Sequence, residues 1–251
     1  MGAYCTADLL PICFSALLSI TVCASFVVAV ALHDIVPVFP AISDTAAKPP
    51  ESNIFSQLVN ISTFLGIAVV GVRYMQVKRD VAQLIGNRVT LKLNHYSAFF
   101  GVFSIFGASI VGNFSESQVL DAHDAGAVIF FVVGNLYAWC QVIISYHMRK
   151  FHLVSTTLCV VRTVVSVIST ASLFIFLILK FYSQKLWHGD IFYWNSNDPG
   201  YKLHVIGNAF EWILVLHFLI LILTFAKELH RRRLEINLVR FPYDYEPIPV
   251  S

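Results

Sequence analysis

Six polar side chains stand where an apolar chain can least accommodate them: His123, Asp124, Arg162, His204, Asn208 and Glu211. Each lies in or at the end of a long hydrophobic stretch, where ionisable groups are costly and mark function by default. His204, Asn208 and Glu211 recur at helical spacing and share one face, while His217 points elsewhere. Three kinds of chemistry fit the group. Glu211 can pair with Arg162, or accept hydrogen bonds from Asn60, Asn135 or Gln141, which would fix one packing of the helices. The residues can line a polar cavity for a lipid head group, an ion or a proton. Or His123, Asp124 and His204 can ligate a metal with Glu211 as the base of a lipid hydrolase. Metal hydrolysis needs several convergent ligands and an activated water. The set barely supplies them, and no H-E-x-x-H spacing occurs. The pairing reading is preferred, and no catalytic residue, metal or cofactor is expected. Asp124 also reads as an N-terminal helix cap, and His123 as a group able to titrate in an acidic compartment.

The elements that must position these groups follow from composition. Of 251 residues, 57% are hydrophobic and 13% charged, whereas a soluble domain is nearer a quarter charged. A membrane-spanning helix needs about 20 mostly apolar residues. Six segments qualify, roughly 9–32, 54–75, 94–113, 125–146, 157–181 and 204–226. The expected fold is all-α: a polytopic bundle of six transmembrane helices over residues 1–226, followed by a basic tail over 227–251. Short connections make neighbouring helices antiparallel. Twelve Lys and Arg residues, from Arg73 to Arg240, fall on one side of the bundle and four on the other. The positive-inside rule therefore places both termini in the cytosol. Cys5, Cys13, Cys23, Cys140 and Cys159 lie in or beside apolar segments and read as small packing residues.

Between the first two spans the chain reads Pro37-Val38-Phe39-Pro40-Ala41-Ile42-Ser43-Asp44-Thr45 and closes on Pro49-Pro50-Glu51-Ser52. Its prolines forbid a helix and favour a stiff, turn-rich path. This string, with Pro40, Ser43, Asp44, Thr45, Pro49, Pro50, Glu51 and Ser52, resembles the first loop of the DNA-damage-regulated autophagy modulator (DRAM) family. That family belongs to the wider Frag/DRAM/Sfk superfamily. The likeness continues in order along the chain. It takes in Phe55, Asn60, Phe64, Gly66 and Arg73-Tyr74, then Gly112-Asn113-Phe114 with Glu116, then His123-Asp124-Ala125-Gly126-Ala127, and finally Glu211-Trp212.

The resemblance implies six spans with cytosolic ends and a lysosomal or endosomal protein that promotes autophagy without enzymatic activity. Its partners would be membrane lipids and other membrane proteins, with no nucleic acid. Other superfamily branches imply alternatives. One is remodelling of glycosylphosphatidylinositol anchors or lipids in the Golgi and endoplasmic reticulum. The other, at the plasma membrane, is phosphoinositide-kinase assembly or a mechanically gated current, whose ion path would use Asn60, Arg162, His204 and Glu211. In the tail, Tyr245-Glu246-Pro247-Ile248 has the tyrosine-x-x-apolar form that clathrin adaptors bind, with Tyr245 and Ile248 as its anchors. The basic residues from Lys227 to Arg240 suit anionic lipid. Asn113-Phe114-Ser115 matches a glycosylation sequon, but it abuts a span in a very short loop.

Overall fold

A bilayer offers no water to backbone groups, so an apolar stretch satisfies them all by becoming helical. The computed structural model of the chain describes residues 6–190, 192–230 and 232–233. Six of its helices are long and apolar enough to cross a membrane: α1 Leu9–Ala31, α2 Glu51–Ile85, α3 Arg88–Asn113, α4 Leu120–Arg149, α5 Thr156–Leu186 and α6 Tyr201–Leu229. The all-helical, six-span architecture is the expected one.

Most helices overrun their apolar windows, because the backbone ladder continues wherever a polar turn can be capped or solvated. The largest overrun is in α2, which carries Lys78 and Arg79 inside the helix, makes a π-turn over Val81–Ile85, and stops at Gly86 with φ +66°. Asn87 then opens α3, its side chain accepting from the backbone N–H of Val89 (2.8 Å) and Thr90 (3.3 Å). Ser155 caps α5 in the same way through Leu158 N–H (3.3 Å). Asp124 is not a cap: α4 begins at Leu120, one turn earlier. The first-loop motif also ends sooner than the sequence suggests, since Glu51 and Ser52 already belong to α2, behind Pro50. At the other end, α6 takes Lys227, Glu228 and Leu229 out of the tail.

Consecutive helices pack against one another and α6 returns to α1, closing a ring. Small residues allow close approach between helices in a membrane. Where α3 crosses α4, a Cβ on Gly107 would lie 2.6 Å from the backbone nitrogen of Phe130 and 2.7 Å from the Gly126 carbonyl oxygen. The core holds Val69, Val70, Tyr137, Leu221 and Phe225 in one cluster. Phe131, Phe176, Leu214 and Phe218 make another. Large apolar side chains such as Phe64, Phe99 and Phe174 face outward, as lipid contact requires. Cys13 and Cys23 are exposed, Cys140 and Cys159 are buried, and all four are free thiols. Cys5 lies outside the described residues.

The two ends of the bundle differ. At the terminal end the chain's start and finish meet: Ala7 N–H donates to the Arg232 carbonyl (3.1 Å), and Thr6 bridges to Arg233. At the loop end lie the first loop, residues 32–50, and the connections 114–119 and 187–200.

Candidate functional site

The first loop is not a free hairpin but a plug seated in the loop end. Proline blocks helix formation, so local side chains organise the turn. The Asp44 carboxylate accepts Ala41 N–H (2.8 Å), and Thr45 donates its hydroxyl to the Ile42 carbonyl (2.7 Å). Thr45 also lies 2.9 Å from the Ser25 hydroxyl of α1. Two carbonyls left by the prolines turn toward α6, where Asn208 Nδ2 donates to Phe39 (3.1 Å) and Trp212 Nε1 donates to Pro40 (2.9 Å). Ser117 donates to the Ala47 carbonyl (2.5 Å), tying the plug to the second connection. Pro40, Ser43, Asp44 and Thr45 are all buried. Lys48 at the rim binds Asp34 (3.2 Å) and the Tyr193 hydroxyl (3.0 Å).

Beneath the plug four carboxyls surround one lysine. Lys180 of α5 reaches Glu116 (3.3 Å) and Asp124 (3.8 Å), with Asp44 and Glu211 facing the same charge. Burial works against the Glu116 anion, but Lys180, His123 and the Ser43 hydroxyl outweigh it and hold that carboxyl below its usual range. Asp44 goes the other way. Burial, then the Glu116 charge beside it, pushes its carboxyl well above the ordinary range. Lys180, Glu116, Asp44, Trp194, His204 and Asn208 line a cavity of about 30 Å³, room for a water molecule or two. The His204 ring stacks on Trp194 at 4.2 Å and contacts Asn208 at 3.0 Å. His123 Nδ1–H donates to the Phe114 carbonyl (2.8 Å).

Five of the six polar residues singled out in the sequence therefore belong to this end. Arg162 does not. It lies in a second cluster at the terminal end, one that reasoning from the sequence did not assemble. There Arg162 and Arg73, both fully buried, share the Glu228 carboxylate, with Arg73 at 3.1 Å. Arg73 donates to Gln141 (3.0 Å) and Gln76 (2.8 Å), and Arg162 to Thr224 (2.8 Å) and Ser145 (2.7 Å). The Phe225 ring packs against both guanidiniums, each 4.9 Å from its centroid. Glu211 and Glu228 are seventeen residues apart on α6, about 25 Å along a helix. Arg162 therefore cannot be the partner of Glu211. Nor do Asn60, Arg162, His204 and Glu211 form a line: Asn60 bonds Asn113 and Ser109 between α2 and α3, and the Phe131–Phe218 cluster fills the space between the two ends.

Among the described residues, no three His, Cys, Asp or Glu side chains converge to hold a metal. His123 is committed to a carbonyl, and Asp124 turns outward to Lys180. The Asn113 amide nitrogen donates to Asn60 (2.9 Å) and to the Ser109 carbonyl (2.7 Å). Tyr245 and Ile248 lie outside the described residues.

Comparison with known proteins agrees with this architecture. The family model described as Frag1/DRAM/Sfk1/Cwh43P N-terminal domain matches residues 6–231. The chain is 34% identical over 239 residues to DNA damage-regulated autophagy modulator protein 2 of Homo sapiens, covering 90% of this chain and 86% of the relative. It is 34% identical to DNA damage-regulated autophagy modulator protein 1 of Homo sapiens over 214 residues, 85% and 87% of the two chains. Modulator of macroautophagy TMEM150B-A of Xenopus laevis is 35% identical over 114 residues, 45% of this chain and 46% of the relative. No solved structure matches the chain. A family match across nearly all of the described residues, over six membrane helices whose first loop carries the motif, places this chain in the Frag1/DRAM/Sfk1/Cwh43P family.

Proposed function

We propose that this chain is a multi-pass protein of the lysosomal or endosomal membrane that modulates autophagy without catalysing a reaction. One observation carries the reading: about a third of its residues are identical, over nine tenths of its length, to a protein named as an autophagy modulator. The geometry is consistent with a non-enzymatic role. Most loop-end side chains seat the plug or balance Lys180, which suits a cluster that sets conformation more than one that turns over substrate. The asymmetry of Lys and Arg puts the termini in the cytosol and the plug in the lumen. The partners are membrane lipids, other membrane proteins and, through Tyr245 and Ile248, clathrin adaptors.

The test has two readouts. The chain tagged at its N-terminus should co-localise with lysosomal markers. Cells lacking it should show slower lysosome-dependent turnover of a cytosolic cargo reporter, restored by the wild-type chain. Residence in the Golgi or at the plasma membrane, with unchanged turnover, would overturn the proposal. It would favour lipid or anchor remodelling, or a role in a membrane current.

A further inference from the structure

A second cavity, of about 80 Å³, opens beneath the plug between α1, α2, α3, α4 and α6. Phe14, Val22, Phe55, Val59, Ile105 and Phe130 make its apolar walls. Two hydroxyls in the wall, Ser62 and Thr63, donate to carbonyls of their own helix. Polar groups meet the cavity at its loop end, where Ser43, His123 and Glu211 stand together. Ser43 serves Glu116, and His123 serves the Phe114 carbonyl. Glu211 is different. It is 7% exposed, the Ile42 backbone meets its carboxyl, and Oε2 has no hydrogen-bond partner. Lys180, the neighbouring cation, makes its ion pairs with Glu116 and Asp124 instead. An acid without an ion-pair partner therefore closes one end of an apolar cavity, in surroundings that hold more carboxyls than cations.

We propose that this cavity binds a single-chain amphiphile with an ammonium head, the head settling against the Glu211 carboxyl and the chain running past Val59 and Ile105. Size and access agree. An engineered apolar cavity of roughly 150 Å³ binds benzene, and this one, at about 80 Å³, suits the first methylenes of a linear chain better than a ring. The lining residues Phe14, Leu18, Thr63 and Ile105 are half-buried. The cavity thus reaches the outer surface of the helices, and the rest of the chain extends into the bilayer where such molecules dissolve. A fatty acid of the same length fits the walls but brings a carboxylate against Glu211.

The test uses the full chain in phosphatidylcholine nanodiscs and three diazirine-bearing probes of equal length: a long-chain primary amine, the matching alcohol and the matching fatty acid. The amine should label peptides of α2 and α3 about ten-fold more than the other two, as a charge-assisted hydrogen bond implies. Unlabelled amine should compete this labelling away on the wild-type chain, a readout that needs no variant. Glu211→Gln should bring the amine down to the level of the alcohol, and Ala127→Phe should abolish labelling by filling the cavity. Equal labelling by all three probes, failure of unlabelled amine to compete, or an unchanged Glu211→Gln variant that remains monodisperse and folded would each overturn the proposal.

Discussion

At the terminal end Arg73 and Arg162 hold two positive charges inside the bundle. Both guanidiniums are buried, and one carboxylate, Glu228, stands between them. Breaking a buried ion cluster by removing one member costs about 3–5 kcal/mol, because the remaining charges stay buried without compensation. Glu228→Gln is therefore expected to lower the thermal midpoint in detergent sharply, and an unchanged midpoint would mean that the amides and hydroxyls suffice. Asp44 makes the opposite kind of statement, in pH. Its carboxyl is held well above the usual range by burial and by Glu116, so the folded chain keeps a proton that the unfolded chain has released. That contribution is full below the unfolded value and fades as pH rises through the folded one. Acidification from about pH 7 to about pH 5 should thus stabilise the wild-type chain, while Asp44→Asn, which still accepts from Ala41, should lose that gain. Glu116 has a depressed value, so it acts with opposite sign and only in stronger acid. A steeper midpoint-versus-pH curve in Asp44→Asn would refute the assignment. Much of this chemistry was legible beforehand. His204, Asn208 and Glu211 share a face by spacing alone. In the sequence Arg73 reads as a basic residue at the end of a span that sets orientation, and Glu228 falls beyond the apolar window 204–226, so hydropathy does not bring the two together. The available signal was spacing: Leu221, Thr224, Phe225 and Glu228 recur at three and four residues, one helix face carried past the apolar window.

At the scale of elements, existence was easier to read than extent. An apolar window reports the stretch that meets lipid, while a helix ends where capping ends it, as at Gly86, Asn87 and Ser155. The seat of the first loop was not legible at all. Its prolines announce a turn-rich path, but nothing in the string says that the carbonyls of Phe39 and Pro40 will be received by Asn208 and Trp212, about 170 residues later. Trp212→Phe keeps an aromatic side chain but removes its bond and part of the packed indole, a loss of at least about 1 kcal/mol. It should raise proteolytic nicking of residues 32–50 without abolishing the fold. Helix crossings give a sharper contrast. At Gly107 an added methyl would meet backbone atoms of α4, which cannot move aside, whereas at Gly71 it would meet nothing within 4 Å. Gly107→Ala should cost about 1–3 kcal/mol by overpacking, and Gly71→Ala should be neutral or stabilising by about 0.5–1 kcal/mol through helix propensity. Equal midpoints for the two variants would show that the α3–α4 crossing relaxes more freely than its geometry suggests.

The whole molecule is fastened twice, by the plug at the loop end and by a clasp at the terminal end. In the clasp, Arg232 makes two bonds to Asp80 (2.7 and 3.0 Å), and His230 meets Asp8 at 2.7 Å. The segment after α6 is thus pinned to the ends of α1 and α2, and the tail departs from a fixed point beside the helix ends. Tyr245 stands thirteen residues beyond Arg232, a reach of up to about 45 Å when extended. Adaptor binding needs an extended peptide clear of the bilayer, and Pro247 within the motif disfavours helix there. If the proposed endolysosomal placement depends on this string, Tyr245→Ala should leave folding and exit from the endoplasmic reticulum intact. It should move the chain toward the plasma membrane, measured by surface biotinylation against total protein. Arg232→Ala offers the matching control, since it loosens the clasp without touching the string and should lower stability while leaving the surface fraction unchanged. A surface fraction that rises in Arg232→Ala and not in Tyr245→Ala would show that the clasp, and not the tyrosine string, governs where the protein resides.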